Sequence, residues 1–220
     1  MPRLSRLVVP GYPHHITQRG VRSTDIFADD LDRLSYLQFM AKESDRFGVT
    51  FMGWCLMTNH VHLIAVPERE DSLARAIGEA HRRYTRMKNF AAGVRGYLFQ
   101  GRFSSCVLDQ QHLLAAGRYV ERNPATAKMV EKPQDYPWSS CRYHCGLVEH
   151  DPLIRECKLP TMVDDWARFL LVSDEVTERN LRKKTRTGRP AGDDRFVLRL
   201  EVLAGRVLRV KQPGRRLRLE

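Results

Sequence analysis

The order of the predicted elements indicates an α+β fold, a ferredoxin-like sandwich in which a four-stranded antiparallel sheet packs against helices. Short segments rich in branched and aromatic side chains alternate with longer stretches of helical periodicity, in the order strand, helix, hairpin, helix, strand, helix. Beyond about residue 150 the composition changes. We therefore expect a main domain of residues 1–150 and, at residues 151–220, a basic C-terminal extension that is helical or partly ordered.

The first half of the chain supplies three strands and two helices. Residues 14–18 predict a short strand, and residues 30–47 predict a helix that ends at Gly48. Residues 49–57 and the segment HVHLIAV predict a β-hairpin that turns at Thr58-Asn59. The second helix begins at Asp71 or Ser72, and its apolar stripe lies beside a cationic outer surface.

The second half is more varied. Residues 97–108 predict the fourth strand, and residues 111–122 predict a third helix that Asn123-Pro124 terminates. A short helix is expected at 138–144. Further helices are expected at 161–171 and 196–203, separated by RKKTRTGRPAG and followed by the basic segment VKQPGRRLRLE.

The charge of the chain favours a polyanionic partner. Lys and Arg number 37 against 26 Asp and Glu, which gives a net charge of +11 at pH 7. A protein this basic attracts nucleic acid through counterion release, although a merely basic surface would look the same. No apolar run is long enough to span a bilayer and the first residues lack a secretory signal, so we expect no membrane partner and a cytoplasmic protein.

The five cysteines predict neither a disulfide framework nor a structural zinc site, because no C-x-x-C pair occurs among them. Cys141, His144 and Cys145 could ligate a metal from one helical turn. A fourth ligand at a suitable spacing is missing, which argues against that site.

The segment Asn59-His60-Val61-His62 carries the strongest local pattern. Alternate residues of a strand project from the same face, so His60 and His62 can chelate one divalent metal. The alternative is that both imidazoles are ordinary surface or core side chains. The apolar residues that follow favour the ligand interpretation, because two unpaired polar rings would be costly there.

A second pattern lies on the third helix, in Tyr119-Val120-Glu121-Arg122-Asn123. Residues four apart share a helical face, so Tyr119 and Asn123 can address one site, the tyrosine as nucleophile and the amide as an oxygen ligand. The alternative is a packing tyrosine and an asparagine that ends a helix before proline.

These segments together resemble the single-tyrosine HUH transposases, and specifically the REP-associated tyrosine transposases, relatives of the IS200-like elements. The matching segments are PHHITQRG, LMTNHVHLIAVP, FQGRFSS, RYVERNPATAKMV and DYPWSSCRYH, in the family's order across residues 1–146. The segment GRPAGDDRFVLRLEVLAGR resembles the basic extension of many members. The chain departs from the family where Ala125 and Thr126 replace a common Val-Arg pair and where Phe99 replaces Trp.

The resemblance implies a metal-dependent single-strand DNA endonuclease and strand transferase that acts at imperfect palindromes such as REP hairpins. In the family pattern His60, His62 and Asn123 hold Mg²⁺ or Mn²⁺, and Tyr119 attacks the phosphodiester to give a 5′-phosphotyrosine and a free 3′-hydroxyl. Attack by another 3′-hydroxyl then rejoins strands. Two alternatives remain: a catalytically inactive nucleic-acid-binding regulator, and a metal-dependent hydrolase that uses water. Either a monomer or a homodimer is compatible.

The expected DNA contacts come from cations in the segments QRG and QGRF, in the second helix and in the extension, and we expect the second helix and the extension to bind the hairpin stem. They are Arg19, Arg82, Arg83, Arg86, Arg102, Lys183, Lys184, Arg186 and Arg189. Arg19 and Arg102 are equally interpretable as surface ion-pair residues, and the RKKTRTGRP run as a solvated linker.

Four other residues remain to be assigned. His14 or His15 could approach the site or the DNA, or both could be structural. Among the rival tyrosines, Tyr84 and Tyr97 are interpreted as packing residues.

Overall fold

The computed structural model describes residues 6–156 and 158–209, so Cys157 and the segment VKQPGRRLRLE lie outside the described residues. Its elements are β1 (His14–Arg19), α1 (Asp30–Phe47), β2 (Val49–Leu56), β3 (His60–Pro67), α2 (Ser72–Ala91), β4 (Ser104–Val107), α3 (Gln110–Thr126), α4 (Cys141–His144), α5 (Trp166–Leu171), α6 (Glu175–Thr187) and α7 (Asp194–Ala204). Within the described ranges, no helix is long and apolar enough to cross a membrane.

The sheet has the strand order β2-β3-β1-β4, and every neighbouring pair is antiparallel. With one helix after β1 and another after β3, this is the ferredoxin-like arrangement, so the predicted fold class is confirmed. The two central strands are β1 and β3, paired with Thr17 opposite His62 and Arg19 opposite His60.

The two faces of the sheet are covered differently. Beneath α1 and α2 lies an apolar core in which Ile16 and Leu63 pack with Tyr36 and Ile77. The opposite face packs against α3 and α6, and its apolar part surrounds Ile64, with Val120, Leu181 and other side chains. Because strand side chains alternate, His62 lies on this second face although Leu63 is in the first core.

The fourth strand is shorter than the predicted residues 97–108. Gly96 and Gly101 have φ values of 128° and 62°, which an extended strand does not accommodate. The stretch between them makes only a single bridge, Phe99 with Gly20, and regular pairing begins at Ser104. The prediction of one continuous strand was therefore wrong.

Two helix boundaries also differ from the prediction. The third helix does not end at Asn123-Pro124 but continues to Thr126, because a proline this close to the end removes only one backbone hydrogen bond. The helix expected at 138–144 comprises only Cys141–His144. Trp138 instead accepts a backbone hydrogen bond from Leu56 beside the sheet.

Among the described residues after 150, the helices α5, α6 and α7 form, and α6 packs on the sheet. The RKKTRT of the supposed separator belongs to α6, which ends at Thr187 and is followed by the left-handed cap Gly188, so that prediction was wrong. The buried side chains Leu181 and Thr185, four residues apart, fix α6 against β1, β4 and α3. A helix covers only Trp166–Leu171 of the expected 161–171, whereas α7 contains the expected 196–203. The domain division at residue 150 stays a prediction.

Candidate active site

Two imidazoles from β3 and one phenol from α3 come together on the second face of the sheet. The ring centroids of His60 and His62 are 5.0 Å apart. The ring of Tyr119 stands at 87° to that of His62, with the centroids 5.3 Å apart. Two histidines of one strand and a tyrosine of a helix distant in sequence thus lie close together.

The fold positions Tyr119 through the buried face of α3. The Asp109 side chain caps the helix by accepting a hydrogen bond from the His112 backbone N–H, and Leu113, Ala116 and Val120 bury the stripe that faces the sheet. Tyr119 is one residue from that stripe and is 8% exposed, so its ring lies at the edge of the buried surface.

The environment of Tyr119 acts on its ionisation in two directions. Burial raises the pKa of the phenol, whereas the side-chain amide of Asn123 and the positive charge of Arg182 act to lower it. The Arg182 guanidinium, from α6, lies 5.5 Å from the centre of the Tyr119 ring. The phenol is therefore protonated at neutral pH, and the guanidinium of Arg182 lies over its ring.

Asn123 lies one helical turn after Tyr119, on the same face of α3. Its side-chain amide donates a 3.0 Å hydrogen bond to the backbone carbonyl of Tyr119. Among the described residues, its side-chain hydrogen bond is thus made to Tyr119 and not to either imidazole. The geometry places the amide at the site, and its role as a ligand stays a proposal.

Both histidines of β3 are neutral at pH 7. Burial, and after it the nearby cation Arg19, lowers the pKa of His60 to about 4. The pKa of His62 lies well below its ordinary value because the ring is buried, and because His15, His60, Arg19 and Arg182 disfavour a further positive charge. Neutral imidazoles are the form that binds metal ions.

The nitrogen lone pairs of the site fit a divalent cation. His60 donates from Nδ1 to the Asn59 Oδ1 at 2.7 Å, which leaves its Nε2 as an acceptor. The Nε2 of His62 is buried and has no hydrogen-bond partner in the described part of the chain. A buried unpaired nitrogen is costly unless a ligand completes it, so these residues suit a metal. No group of three or more His, Cys, Asp or Glu suited to a metal occurs among residues 6–156 and 158–209.

Two further residues of the site come from elsewhere in the sequence. His15 stacks on His62 with an interplanar angle of 4°, and Thr185 of α6 contacts His15. His14, left open by the sequence, is structural: its ring accepts from the Val9 N–H and hydrogen-bonds the Tyr12 carbonyl. Sequence analysis did not predict Thr185 and Arg182 as site residues. They lie in a highly charged segment, in which the few buried positions of the helix are difficult to recognise.

The cations predicted to contact DNA lie on several surfaces. Arg19 is exposed at the end of β1, beside His60, and donates to Asn59. Arg82 and Arg83 both pair with Glu79, and Arg102 is exposed. On α6, Lys183 and Arg186 are exposed and Lys184 is half-buried, whereas Arg189 is held by the Leu208 carbonyl.

A cleft of about 520 Å³ lies between α2 and the segment 94–101. Arg82, Arg86 and Arg95 line it together with Tyr97. Neither Arg86 nor Arg95 forms an ion pair among the described residues. Tyr97, predicted to be a packing residue, is 88% exposed, so that prediction was wrong. The backbone of this segment pairs with the end of β1, since Gln100 donates to the Arg19 carbonyl.

The other candidate sites have structural partners. His144 contacts the buried Glu121, and the sulfur atoms of Cys141 and Cys145 lie 4.0 Å apart. The hydroxyl of Tyr84 donates to the Ile26 carbonyl inside the first core. Tyr84 is therefore a packing residue, as predicted.

Comparison with known proteins identifies the family to which the chain is similar. The family model described as transposase, IS200-like, matches residues 9–123. A REP-associated tyrosine transposase bound to a REP hairpin has a similar fold, with a TM-score of 0.57 and 17% identity over 76% of this chain and 96% of that chain. A putative transposase from Deinococcus radiodurans R1 aligns more weakly, with a TM-score of 0.39 and 14% identity over 55% and 97% of the two chains. No curated protein matches this sequence.

Proposed function

The chain belongs to the IS200-like transposase family, and from that premise we propose that it cuts and rejoins single-stranded DNA at palindromic, REP-like hairpins. The observation that carries the proposal is the convergence of Tyr119 with His62, whose buried Nε2 lacks a partner. The structural neighbour was solved bound to a REP hairpin, which supports a hairpin as the substrate.

The proposed reaction uses Tyr119 as the nucleophile. Its hydroxyl loses its proton as the oxygen attacks the scissile phosphorus, the bond from phosphorus to O3′ breaks, and O3′ takes up a proton to leave as a 3′-hydroxyl, so that the proton given up by the phenol is balanced by the one gained by the leaving group. The 5′-phosphate remains on the tyrosine, so the energy of the phosphodiester is conserved and a second 3′-hydroxyl can rejoin the strands. Arg182 offsets the negative charge that forms on the phenol oxygen.

The site residues divide the remaining work among themselves. His60, His62 and Asn123 would hold Mg²⁺ or Mn²⁺, which would polarise the scissile phosphate and stabilise the additional charge of the transition state. Arg19, beside His60, would orient the phosphate. The apolar side chains around Tyr119 limit the access of water, which would otherwise release the covalent intermediate.

The DNA would lie across the cationic surfaces that adjoin this site. The segment 94–101, which lines the cleft with Arg86 and Arg95, is hydrogen-bonded to the end of β1 at Arg19. Arg19 in turn lies opposite His60 in the sheet. Arginines without protein partners are available to phosphates, and the exposed ring of Tyr97 can stack on an unpaired base. Lys183 and Arg186 of α6 would hold the hairpin stem.

The experiment that tests this function tracks both ends of a cleaved strand. Hairpin oligonucleotides labelled at the 5′ or the 3′ end are incubated with the protein and Mn²⁺, and the products are separated on a denaturing gel. We expect the fragment 3′ of the cut to become attached to the protein and the fragment 5′ of the cut to be released with a 3′-hydroxyl. Attachment of the other fragment would contradict the scheme.

Substitution of the nucleophile separates the alternatives. Tyr119→Phe is expected to lower cleavage at least about 10³-fold while hairpin binding is retained, because only the attacking oxygen is lost. Tyr12→Phe, which removes a phenol oxygen outside the site, serves as the matched control. Cleavage by Tyr119→Phe without an adduct would indicate a water-using hydrolase, and binding without cleavage by the unmodified chain would indicate a regulator.

A further inference from the structure

A chain of hydrogen bonds joins His62 to the C-terminal helix α6. The Nδ1 of His62 lies 3.1 Å from the Nε2 of His15, and the Nδ1 of His15 lies 2.7 Å from the Oγ1 of Thr185. All three side chains are buried. His15 and Thr185 are not among the ligands proposed above, yet they contact one of them directly or through one intermediate.

The donor and acceptor of each of these hydrogen bonds follow from the number of hydrogens that the groups carry. The Thr185 hydroxyl has a single hydrogen and donates it to the Leu181 carbonyl at 2.9 Å, so its oxygen accepts from His15 Nδ1. A neutral His15 then presents a bare Nε2, which accepts from the Nδ1–H of His62. The remaining nitrogen of His62, its Nε2, carries a lone pair.

The opposite direction is disfavoured at both of its ends. It would require Thr185 to donate to His15, which would give up the bond to the Leu181 carbonyl. It would also place a hydrogen on His62 Nε2, where the described residues offer no acceptor. Cys106, whose sulfur lies 3.2 Å from Thr185 Oγ1, can donate its S–H to that oxygen, which is consistent with the hydroxyl as an acceptor.

We propose that Thr185 and His15 are positioning residues that hold His62 in the one tautomer whose Nε2 can bind the divalent cation. The inference rests on the proposed function, since it concerns the same metal site. It makes α6 part of the active site, even though this helix begins 108 residues after the end of β3 and lies beyond the segment matched by the family model. Removal of a partner that orients a ligating histidine typically lowers metal affinity by about 10-fold to 100-fold.

Two threonines of α6 provide a matched test. Thr185→Val keeps the shape of the side chain and removes the acceptor of His15, and we expect it to weaken Mn²⁺ binding about 10-fold or more. Thr185→Ser keeps the hydroxyl and is expected to restore the affinity. Thr187→Val removes an exposed hydroxyl that bonds the Lys183 carbonyl in the same helical manner but contacts no histidine. Its Mn²⁺ affinity is expected to equal that of the unmodified chain.

The tautomer can be observed without metal or DNA. In the full-length protein labelled with ¹⁵N at histidine, the ring nitrogens of His62 are expected to report a protonated Nδ1 and an unprotonated Nε2. In Thr185→Val the signals are expected to move towards a mixture of tautomers, whereas Thr187→Val leaves them unchanged.

The outcomes separate this inference from the proposed function. A protonated Nε2 in the unmodified chain, or equal Mn²⁺ affinities for Thr185→Val and Thr187→Val, would overturn the role of the chain of hydrogen bonds. If the unmodified protein neither binds Mn²⁺ nor forms an adduct, the proposed function fails, and the ¹⁵N spectra still decide which tautomer His15 and Thr185 impose.

Discussion

The two faces of the sheet differ in how their buried histidines are hydrogen-bonded. On the face covered by α1 and α2, the buried His81 of α2 has its Nε2 at 2.9 Å from the Tyr36 hydroxyl and stacks on Phe99. Under α3 and α6, the buried His62 has a ring nitrogen without a partner. A histidine whose ring nitrogens are paired inside the protein contributes to the core, whereas a buried unpaired nitrogen has a cost that a bound ligand can offset. We interpret the unpaired Nε2 of His62 as a mark of the proposed metal site on the second face.

Removal of the imidazole on each face should give opposite results. His62→Ala is expected to lower cation-dependent cleavage more than about 100-fold and to weaken Mn²⁺ binding, because a ligand is lost and not merely an orienting partner. His81→Ala should lower the free energy of unfolding by about 1–3 kcal/mol, because it leaves the Tyr36 hydroxyl unpaired, while the folded protein still cleaves. Mn²⁺ titration, a cleavage assay and urea denaturation of both variants measure this. Equal activities would remove the distinction between the faces.

Leu63, the residue next to His62 in β3, faces the opposite side of the sheet and therefore tests the same difference between the two faces. Leu63 is fully buried in the first core, so Leu63→Ala should lower the free energy of unfolding by about 2–5 kcal/mol. Adduct formation per folded molecule should remain close to that of the unmodified chain when assayed at low temperature, since the side chain points away from the site. A loss of adduct with unchanged stability would contradict the assignment of the faces.

The sequence predicted those parts of the molecule that local patterns encode. The alternation of His60 and His62, the spacing of Tyr119 and Asn123 and the order of the elements follow from the periods of strands and helices, and the structure bears out the fold. The contribution of α6 could not be predicted. Thr185 contacts His15, from which it is 170 residues distant in sequence. The charged residues around Thr185 make the buried face of α6 difficult to recognise in the sequence.

The stability of the chain should depend on pH because several histidines are buried as neutral rings. Burial lowers the pKa of His15 and His81 to about 3 and that of His14 to about 4. As pH falls below about 6.5, the unfolded chain takes up protons that the folded chain excludes, so folding becomes less favourable down to about pH 4. Each such histidine contributes at most about 1.4 kcal/mol per pH unit in that window.

Urea denaturation at pH 7, 6 and 5 measures this dependence. His81→Phe removes one excluded proton from the first core without touching the proposed ligands, so its free energy of unfolding should fall less steeply between pH 6 and pH 5. An unchanged slope in this variant would show that His81 is not kept neutral by its surroundings, and the comparison between the faces would then rest on His62 alone.

The smallest expected effect concerns the cleft that adjoins the site. Arg95→Ala should weaken hairpin binding several-fold at moderate salt and reduce the slope of log affinity against log salt by roughly 0.7–0.9, because one phosphate contact is lost. Arg155→Ala is the matched control, since its guanidinium is already paired with Asp45 at 2.8 Å. Fluorescence anisotropy with a labelled hairpin over a series of salt concentrations measures both slopes. Because Arg95 is joined through the segment 94–101 to the end of β1, its removal should also slow cleavage of substrates with a long single-stranded flank more than those with a short one. An identical slope for the two variants would mean that the DNA reaches Tyr119 by another surface.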